Sequence, residues 1–224
     1  NLSKVYSFPG SDPKDSLLSA AQIGINYAKR QSTNQSKSEH LGSSKRFDKI
    51  ILNRTVESEL ISYLYTLKNI KIEFVKREFA KDARYGKGLC SDFNLFEDKS
   101  PIIKKLEADL KEISKKALEK KEIIIHDAFF NIYTSGSGAT SHNHIGSQDE
   151  TFGLKSYKYS LVYYLEIGDQ SGQDPGILKL YNPDEDILPV NGMIVIIDAK
   201  QLHSVSYSGT KDRVMVGVNL YGLW

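Results

Sequence analysis

The sequence contains little cysteine and little histidine. Of its 224 residues, one is cysteine (Cys90) and five are histidine. A single cysteine excludes an intramolecular disulfide and any zinc site built from several cysteines, and it favours a reducing, cytoplasmic location. Because histidine is scarce, two histidines separated by a single residue are unexpected by chance.

The chain also lacks an excess of either charge. Its 30 Lys and Arg residues are balanced by 28 Asp and Glu residues, which leaves a net charge of +2. This balance gives no electrostatic case for binding nucleic acid or an anionic membrane surface. No apolar run approaches the roughly 20 residues that a membrane-spanning helix needs. We therefore expect neither nucleic acid nor a membrane as a partner, and the composition leaves the oligomeric state open.

Apolar residues recur at helical spacing in the N-terminal half, and we predict helices there. The ranges are Asp15–Lys29, Thr55–Lys68 and Pro101 to about Glu119, with strands at Phe47–Leu52 and Ile70–Ala80. Ser-Pro at positions 100 and 101 is a strong signal for a helix start. The polar run Arg30–Ser44 predicts a mobile surface loop or lid. It contains His40, which we interpret as a solvated loop residue.

After Lys121 the pattern changes to short apolar segments separated by Gly, Pro, Asn and Asp. These segments are Ile123–Ile125, Ala128–Phe130, Ile132–Tyr133, Ser160–Ile167, Ile177–Tyr181, Met193–Ile197, Val205–Tyr207 and Val214–Leu220. Short strands at this spacing favour an antiparallel sandwich or a barrel. We predict one mainly β domain, in which residues 1–120 form a helix-rich supporting region and residues 121–224 form the β-sandwich catalytic core.

Two histidines at positions i and i+2 stand at the centre of this β-rich region. If the run is extended, His142 and His144 point to the same face and could hold one metal ion. Neutral imidazole is a common metal ligand at pH 7, and His203 follows another strand-like segment. The usual non-haem Fe(II) site uses two histidines and one carboxylate. Asp149 and Glu150 are the nearest carboxylates, and they would need a bend in the chain to reach the metal.

Arg213 lies ten residues after His203. We expect the strand that carries His203 to turn at residues 208–210 and to return with Arg213. By itself Arg213 could be a surface residue of that hairpin. If it is buried beside a metal it needs an anionic partner, because an unpaired buried charge is costly. A dicarboxylate that chelates the metal at one end and pairs with the guanidinium at the other would meet both requirements.

Several motifs occur in a characteristic order between Phe130 and Leu220. They are Tyr133 nine residues before His142, the apolar segment Ser160–Leu165, the segment Gly176–Pro183, the turn and strand Pro189–Ile196, His203, and Arg213. Together they resemble the Fe(II)/2-oxoglutarate-dependent oxygenases of the prolyl-4-hydroxylase-like branch.

The resemblance implies a double-stranded β-helix core, of the jelly-roll or cupin-like type, buttressed by the N-terminal helices. It implies Fe(II), 2-oxoglutarate and O2 as metal, co-substrate and oxidant. His142, His144 and His203 would hold the metal, and Arg213 and Tyr133 would contact 2-oxoglutarate. The implied activity is hydroxylation of an amino-acid-like or peptidyl substrate with release of succinate and CO2, without a catalytic residue beyond the metal centre.

The sequence departs from the family pattern at two positions. His144 stands where the family has Asp, and Met215 stands where many relatives have Ser. A pairing of His144 with Gly146, like the metal-binding motif of halogenating relatives, is a less favoured alternative. Asn219 could contact substrate, whereas we interpret His126 as a structural or surface residue.

Two other functions stay open at this point. One is a three-histidine metal oxygenase that does not use 2-oxoglutarate and holds its substrate's carboxylate with Arg213. The other is a non-enzymatic β-sandwich binding module.

Overall fold

The computed structural model of the protein describes residues 49–71 and 88–224. Its strands are β1 (Ile50–Asn53), β2 (Ile70–Lys71), β3 (Leu89–Cys90), β4 (Glu122–Tyr133), β5 (Ser137–His142), β6 (Lys158–Glu166), β7 (Pro175–Leu180), β8 (Glu185–Ile187), β9 (Met193–Asp198), β10 (His203–Tyr207) and β11 (Arg213–Leu223). Its helices are α1 (Ser58–Thr66), a 3-10 turn (Leu95–Glu97), α2 (Pro101–Ala117) and α3 (Ser147–Thr151). The predicted helix Asp15–Lys29, the loop Arg30–Ser44 with His40, and most of the predicted strand Ile70–Ala80 lie outside the described residues.

The strands form two antiparallel sheets. The larger sheet has the order β1-β9-β6-β11-β4-β3-β2, and the smaller one has the order β5-β10-β7-β8. Strands that are neighbours in a sheet are mostly distant in sequence, as in jelly-roll topologies. This arrangement confirms the predicted mainly β fold with a double-stranded β-helix core and flanking helices. No helix in the described ranges is both long and apolar enough to cross a membrane.

The helices cover the outer face of the larger sheet. Leu106 and Leu110 of α2 are fully buried with Leu60 and Leu64 of α1 in a cluster that includes Phe130 of β4. Burying one such side chain contributes about 1.5–3 kcal/mol, so this layer is a substantial part of the core. The predicted support of the sheet by helices is therefore confirmed for the helices that the structure describes.

The other face of the larger sheet points towards the smaller sheet. Along β6, Tyr163 faces the helices and the next residue, Tyr164, faces inward, because successive side chains of a strand point to opposite faces. Tyr164 belongs to a second buried cluster that joins the two sheets, together with Leu178 of β7, Tyr207 of β10 and Met215 of β11. This inner face carries the residues of interest.

The structure corrects three sequence-based predictions. The segment from His203 to Arg213 is not a hairpin, because β10 belongs to the smaller sheet and β11 to the larger one. The three strands predicted between residues 123 and 133 are one strand, β4. The helix predicted over Thr55–Lys68 spans Ser58–Thr66, with Glu57 as its N-cap residue in place of Thr55.

Candidate metal centre and cavity

The three predicted metal ligands lie together. His142 ends β5 and is the cross-strand partner of His203, the first residue of β10. The chain leaves β5 after His142, and the backbone N–H of His144 donates to the carbonyl of Ala199 at 2.8 Å. These contacts bring one ligand atom from each of the three rings to within 4.8 Å of the others. The Nε2 atoms of His144 and His203 are 3.2 Å apart.

Backbone carbonyls orient two of the imidazoles. His142 Nδ1 lies 2.7 Å from the carbonyl of Thr140, and His203 Nδ1 lies 2.9 Å from the carbonyl of Gln201. A carbonyl can only accept, so each Nδ1 carries the proton and each Nε2 keeps its lone pair for a metal ion. Burial, and after it the neighbouring His142, lowers the pKa of His203 to about 4. The His203 ring is therefore neutral at pH 7, which is the form that binds metals.

Neither alternative carboxylate belongs to this cluster. Asp149 is 2% exposed and accepts hydrogen bonds from Lys158 Nζ (2.8 Å), Tyr221 Oη (2.6 Å) and the Gly146 N–H (2.7 Å). Burial alone raises the pKa of Asp149, but these three hydrogen bonds outweigh it and bring the pKa below its ordinary value. Glu150 is exposed to solvent. The structure thus places His144, and not Asp149 or Glu150, beside His142 and His203.

The three histidines open onto a cavity of about 400 Å³ between the two sheets. This volume falls in the range of ligand-binding pockets. Tyr133, Tyr164, Met215 and Asn219 line it from the inner face of the larger sheet, and Leu178 and Val205 line it from the smaller sheet. Met215, at the position where many relatives have Ser, presents an apolar side chain.

Arg213 is fully buried, at 0% exposure, which rules out the alternative that it is a surface residue of a hairpin. Its guanidinium lies 5.1 Å from the ring of Tyr164 and 5.6 Å from the ring of Tyr207. Nη1 donates to the carbonyl of Pro175 at 3.3 Å, and the Tyr164 hydroxyl is a further hydrogen-bonding neighbour of the guanidinium, whereas Nε and Nη2 make no well-aligned hydrogen bond to the described residues. Burial lowers the pKa of Arg213, and the neighbouring tyrosines oppose this shift.

The space around Arg213 depends on one glycine. Gly176 has φ +79°, and a Cβ atom at this position would overlap Arg213 Nη1. Arg213 itself is not on the cavity wall. Tyr133 and Tyr164, which are on the wall, are its neighbours. Burial raises the pKa of both phenols, that of Tyr164 to about 12, so both hydroxyls are protonated and can donate hydrogen bonds.

Two further polar residues line the cavity with unsatisfied oxygens. Asn131 Oδ1 and Asn219 Oδ1 are buried and have no hydrogen-bond partner within the part of the chain that the structure describes. Sequence reasoning singled out Asn219 but missed Asn131, whose alternation with Tyr133 along β4 was the available signal. His126 also lines the cavity, outside the histidine cluster.

No family model matches the chain, and no curated protein matches it in sequence. Its backbone is nevertheless similar to several solved structures. One is an oxidoreductase of the 2OG-Fe(II) oxygenase family from Burkholderia pseudomallei (13% identity, 78% of this chain and 87% of that chain, TM-score 0.54). The fold is that of the 2-oxoglutarate–Fe(II) oxygenases.

Two more proteins share this oxygenase fold and differ in their ligands. A prolyl hydroxylase from Trichoplax adhaerens, in complex with a peptide fragment of the hypoxia inducible factor oxygen degradation domain, is 14% identical over 95% of this chain and 94% of that chain (TM-score 0.52). HygX from Streptomyces hygroscopicus, with nickel, 2-oxoglutarate and hygromycin B bound, is 10% identical over 78% and 82% of the two chains (TM-score 0.54). At these identities the likeness shows the oxygenase fold, and the activity has to be argued from the site.

Proposed function

We propose that the protein is an Fe(II)- and 2-oxoglutarate-dependent dioxygenase that hydroxylates an amino-acid-like or peptidyl substrate. His142, His144 and His203 would hold Fe(II) through their Nε2 atoms. Arg213 would pair with the distal carboxylate of 2-oxoglutarate, and Tyr133 would donate a hydrogen bond to the co-substrate. With Fe(II) bound, O2 would oxidise 2-oxoglutarate to succinate and CO2, and one oxygen atom would enter a C–H bond of the substrate.

Arg213 is the observation that carries this proposal. A buried guanidinium with two unsatisfied nitrogens is costly unless an anion pairs with it. No carboxylate of the described residues forms a salt bridge with Arg213. The flat fork of the guanidinium suits a carboxylate in a bidentate arrangement. The negative charge that pairs with Arg213 is therefore supplied best by a ligand.

The position of Arg213 relative to the histidines supports a dicarboxylate. Its guanidinium packs on Tyr207, four residues after His203 on the same strand. Four residues span about 13 Å along a strand, which is too far for a metal held by His203 to touch Arg213. A short dicarboxylate can bridge this gap, with one end at the metal and the other between Tyr133 and Tyr164. The two phenols, being protonated, can donate to a carboxylate.

The chain's own residues would then contribute placement and exclusion of water. The inner face of the larger sheet fixes one wall of the cavity, and carbonyl-held imidazoles fix the other. A three-histidine centre carries one more positive charge than a centre with two histidines and a carboxylate. That charge favours binding of an anionic co-substrate and is expected to change the reduction potential of the iron.

An anaerobic titration with Fe(II), with and without 2-oxoglutarate, tests the proposal. We expect a visible metal-to-ligand charge-transfer band that appears only when both are present. Iron binding without that band would support a three-histidine oxygenase that does not use 2-oxoglutarate. Absence of iron binding would leave the non-enzymatic binding module as the better interpretation.

Substitution of His144 tests the unusual ligand. His144→Ala should weaken Fe(II) binding and shift or abolish the band, because it removes one of three ligands. His126→Ala is the matched control, since His126 lines the same cavity outside the cluster. An unchanged titration of His144→Ala would remove His144 from the metal site.

The hydroxylase activity requires a substrate screen. Succinate release should increase above the basal rate when a peptide or amino-acid derivative fits the cavity, and mass spectrometry should show a product heavier by one oxygen atom. A different product formed together with succinate, such as a halogenated or dehydrogenated one, would be consistent with an oxygenase and would overturn the assignment as a hydroxylase.

A further inference from the structure

Asn219 lines the cavity and carries a hydrogen-bond acceptor without a partner among the described residues. The residue is 5% exposed and lines the cavity wall from β11. Its Nδ2 donates to Asp127 Oδ1 at 2.8 Å, and its Oδ1 is buried without a partner among the described residues. Burying such an oxygen is unfavourable unless something that enters the cavity donates to it.

Asp127 fixes the orientation of this amide. Asp127 and Asn219 are cross-strand partners on β4 and β11. A carboxylate oxygen accepts hydrogen bonds, and the Asn219 NH2 group donates to Asp127 Oδ1. The amide oxygen is then left for another donor. The flipped amide would place two acceptor oxygens against each other when Asp127 is ionised, which makes the alternative assignment of the two amide atoms unfavourable.

Asn219 lies at the end of the cavity away from Arg213. The two residues are six positions apart on β11, which corresponds to about 20 Å along the strand. Between them β11 lines the cavity with Met215 and Gly217, and β4 adds Asn131, the cross-strand partner of Met215. Around Asn219 the wall is more polar, with Asp127 on β4 and Ser160 on β6 as cross-strand neighbours. A co-substrate that reaches Arg213 is too short to contact Asn219, so this polar end is left for the substrate.

We propose that Asn219 is a specificity residue that accepts a hydrogen bond from an N–H or O–H group of the substrate. Asp127 is its positioning residue, because it holds the amide with the oxygen towards the cavity. The proposal deepens the proposed function and rests on it, since it takes this cavity as the place where the substrate meets the metal centre. It narrows the substrate class to molecules that carry a hydrogen-bond donor.

Matched ligand pairs test the acceptor role directly. The probes are N-acetyl amino-acid methylamides with their methyl esters, which lack the one amide N–H, and alcohols with their methyl ethers. Dissociation constants are measured by ligand-detected NMR on the full chain without added metal or 2-oxoglutarate. We expect the donor member of a fitting pair to bind about tenfold more tightly than its partner. The two kinds of pair also distinguish an N–H donor from an O–H donor.

Variants show which residues are responsible for the tighter binding of the donor member. Asn219→Leu should remove it, and Asp127→Asn should reduce it because the Asn219 amide is then able to flip. The double variant Asp127→Asn with Asn219→Asp should restore it, since it keeps a donor at position 127, an acceptor at position 219 and the same net charge. Asn69→Leu, outside the cavity, is the control and should leave the preference unchanged.

Three results would overturn the proposal. They are equal binding of both members of every pair, no binding by any donor member, and a preference that survives in Asn219→Leu. Because no metal or co-substrate is present, these results are independent of the charge-transfer band. A lost preference with an intact band would overturn the role of Asn219 alone, and a retained preference without the band would overturn the oxygenase function alone.

Discussion

Two buried arginines occupy opposite faces of the larger sheet. Arg54 packs on Tyr163, 5.4 Å from its ring, and Arg213 packs on Tyr164, the next residue of β6, at 5.1 Å. Arg54 is 9% exposed and Arg213 is 0% exposed. The two side chains therefore have similar surroundings in terms of burial and aromatic contact, and they differ in their polar partners.

Arg54 is satisfied by the protein. Its Nη1 and Nη2 donate to Glu57 at 2.7 and 2.9 Å, and Nη2 also donates to Asp109 at 2.8 Å. This network joins β1, α1 and α2 to the sheet through Tyr163, to which Nη1 donates at 3.0 Å. Among the residues that the structure describes, Arg213 has the Pro175 carbonyl as its acceptor, and its Nε and Nη2 are left unsatisfied. The comparison distinguishes Arg54, which stabilises the fold, from Arg213, for which we propose a ligand as the anionic partner.

The largest expected effect comes from Arg213→Met. Removing the guanidinium should weaken 2-oxoglutarate binding about 100-fold, as expected for loss of a buried charged pair. The free energy of unfolding should stay the same or rise, because an unpaired buried charge is removed. Titration of the charge-transfer band and urea unfolding measure the two quantities. Strong destabilisation with unchanged 2-oxoglutarate binding would make Arg213 a structural residue like Arg54.

Arg54→Met should have the opposite effects on 2-oxoglutarate binding and on the free energy of unfolding. The free energy of unfolding should fall by about 2–3 kcal/mol, since Glu57 and Asp109 lose their charged donor. Binding of 2-oxoglutarate should be unchanged, because Arg54 lies on the helix-covered face. Urea unfolding measures the loss, with the exposed Lys68→Met as control for removal of a positive charge. A loss no greater than that of the control contradicts a structural role for the network.

Gly176→Ala sharpens the comparison by displacing Arg213 without removing it. The added Cβ would overlap Nη1, so 2-oxoglutarate binding should weaken about tenfold, in addition to about 1–2 kcal/mol of strain from the left-handed backbone. Gly136→Ala is the matched control, because Gly136 has the same φ of +79° and no atom within 4 Å of a Cβ. If both variants bind 2-oxoglutarate equally well, the space beside Arg213 does not matter for binding.

The smallest effect is expected at acid pH and on the Arg54 side. Burial raises the pKa of Glu57, but hydrogen bonds from Arg54 and Lys105 outweigh it and bring the pKa from 4.5 to about 2. A carboxylate whose pKa is lowered by folding stabilises the protein above its unfolded pKa, and this stabilisation is lost as the pH falls towards the folded value.

Glu57→Gln should therefore reduce the decrease in the free energy of unfolding between about pH 4.5 and pH 2. The midpoint of urea unfolding at several pH values measures the slope for the wild type, for Glu57→Gln and for the exposed control Glu112→Gln. A slope in Glu57→Gln equal to that of the wild type would show that Glu57 does not contribute to the acid sensitivity.

Much of the site could be predicted from sequence because it depends on local spacing. Two histidines at i and i+2, a tyrosine nine residues earlier and an arginine ten residues after the third histidine are visible without coordinates. Apolar strands such as β6 and β9 were predicted for the same reason, since their Val, Ile, Leu and Tyr residues are typical of buried strands.

Other features depend on tertiary pairing and left no local signal. Strand β5 reads Ser-Gly-Ala-Thr-Ser-His, with no apolar alternation, and is a strand because β10 pairs with it. The chain passes from β10 in the smaller sheet to β11 in the larger sheet through the same kind of turn residues that a hairpin uses, so the sequence does not distinguish the two connections. The hydrogen bond between Asp127 and Asn219 joins residues 92 positions apart. Long-range register of this kind is not encoded in any one segment.

The change of sheet between His203 and Arg213 has a consequence for chain-length selectivity. A ligand that contacts both a metal held by His203 and Arg213 is bound by two separate sheets. The packing of the sheets therefore sets the distance between the two points at which the ligand is held. Leu178, Val205 and Met215 lie between the sheets and line the cavity, so their volumes act as a spacer. The preference for a five-carbon dicarboxylate over a longer one would therefore be set in the apolar core, by residues that carry no polar group at all.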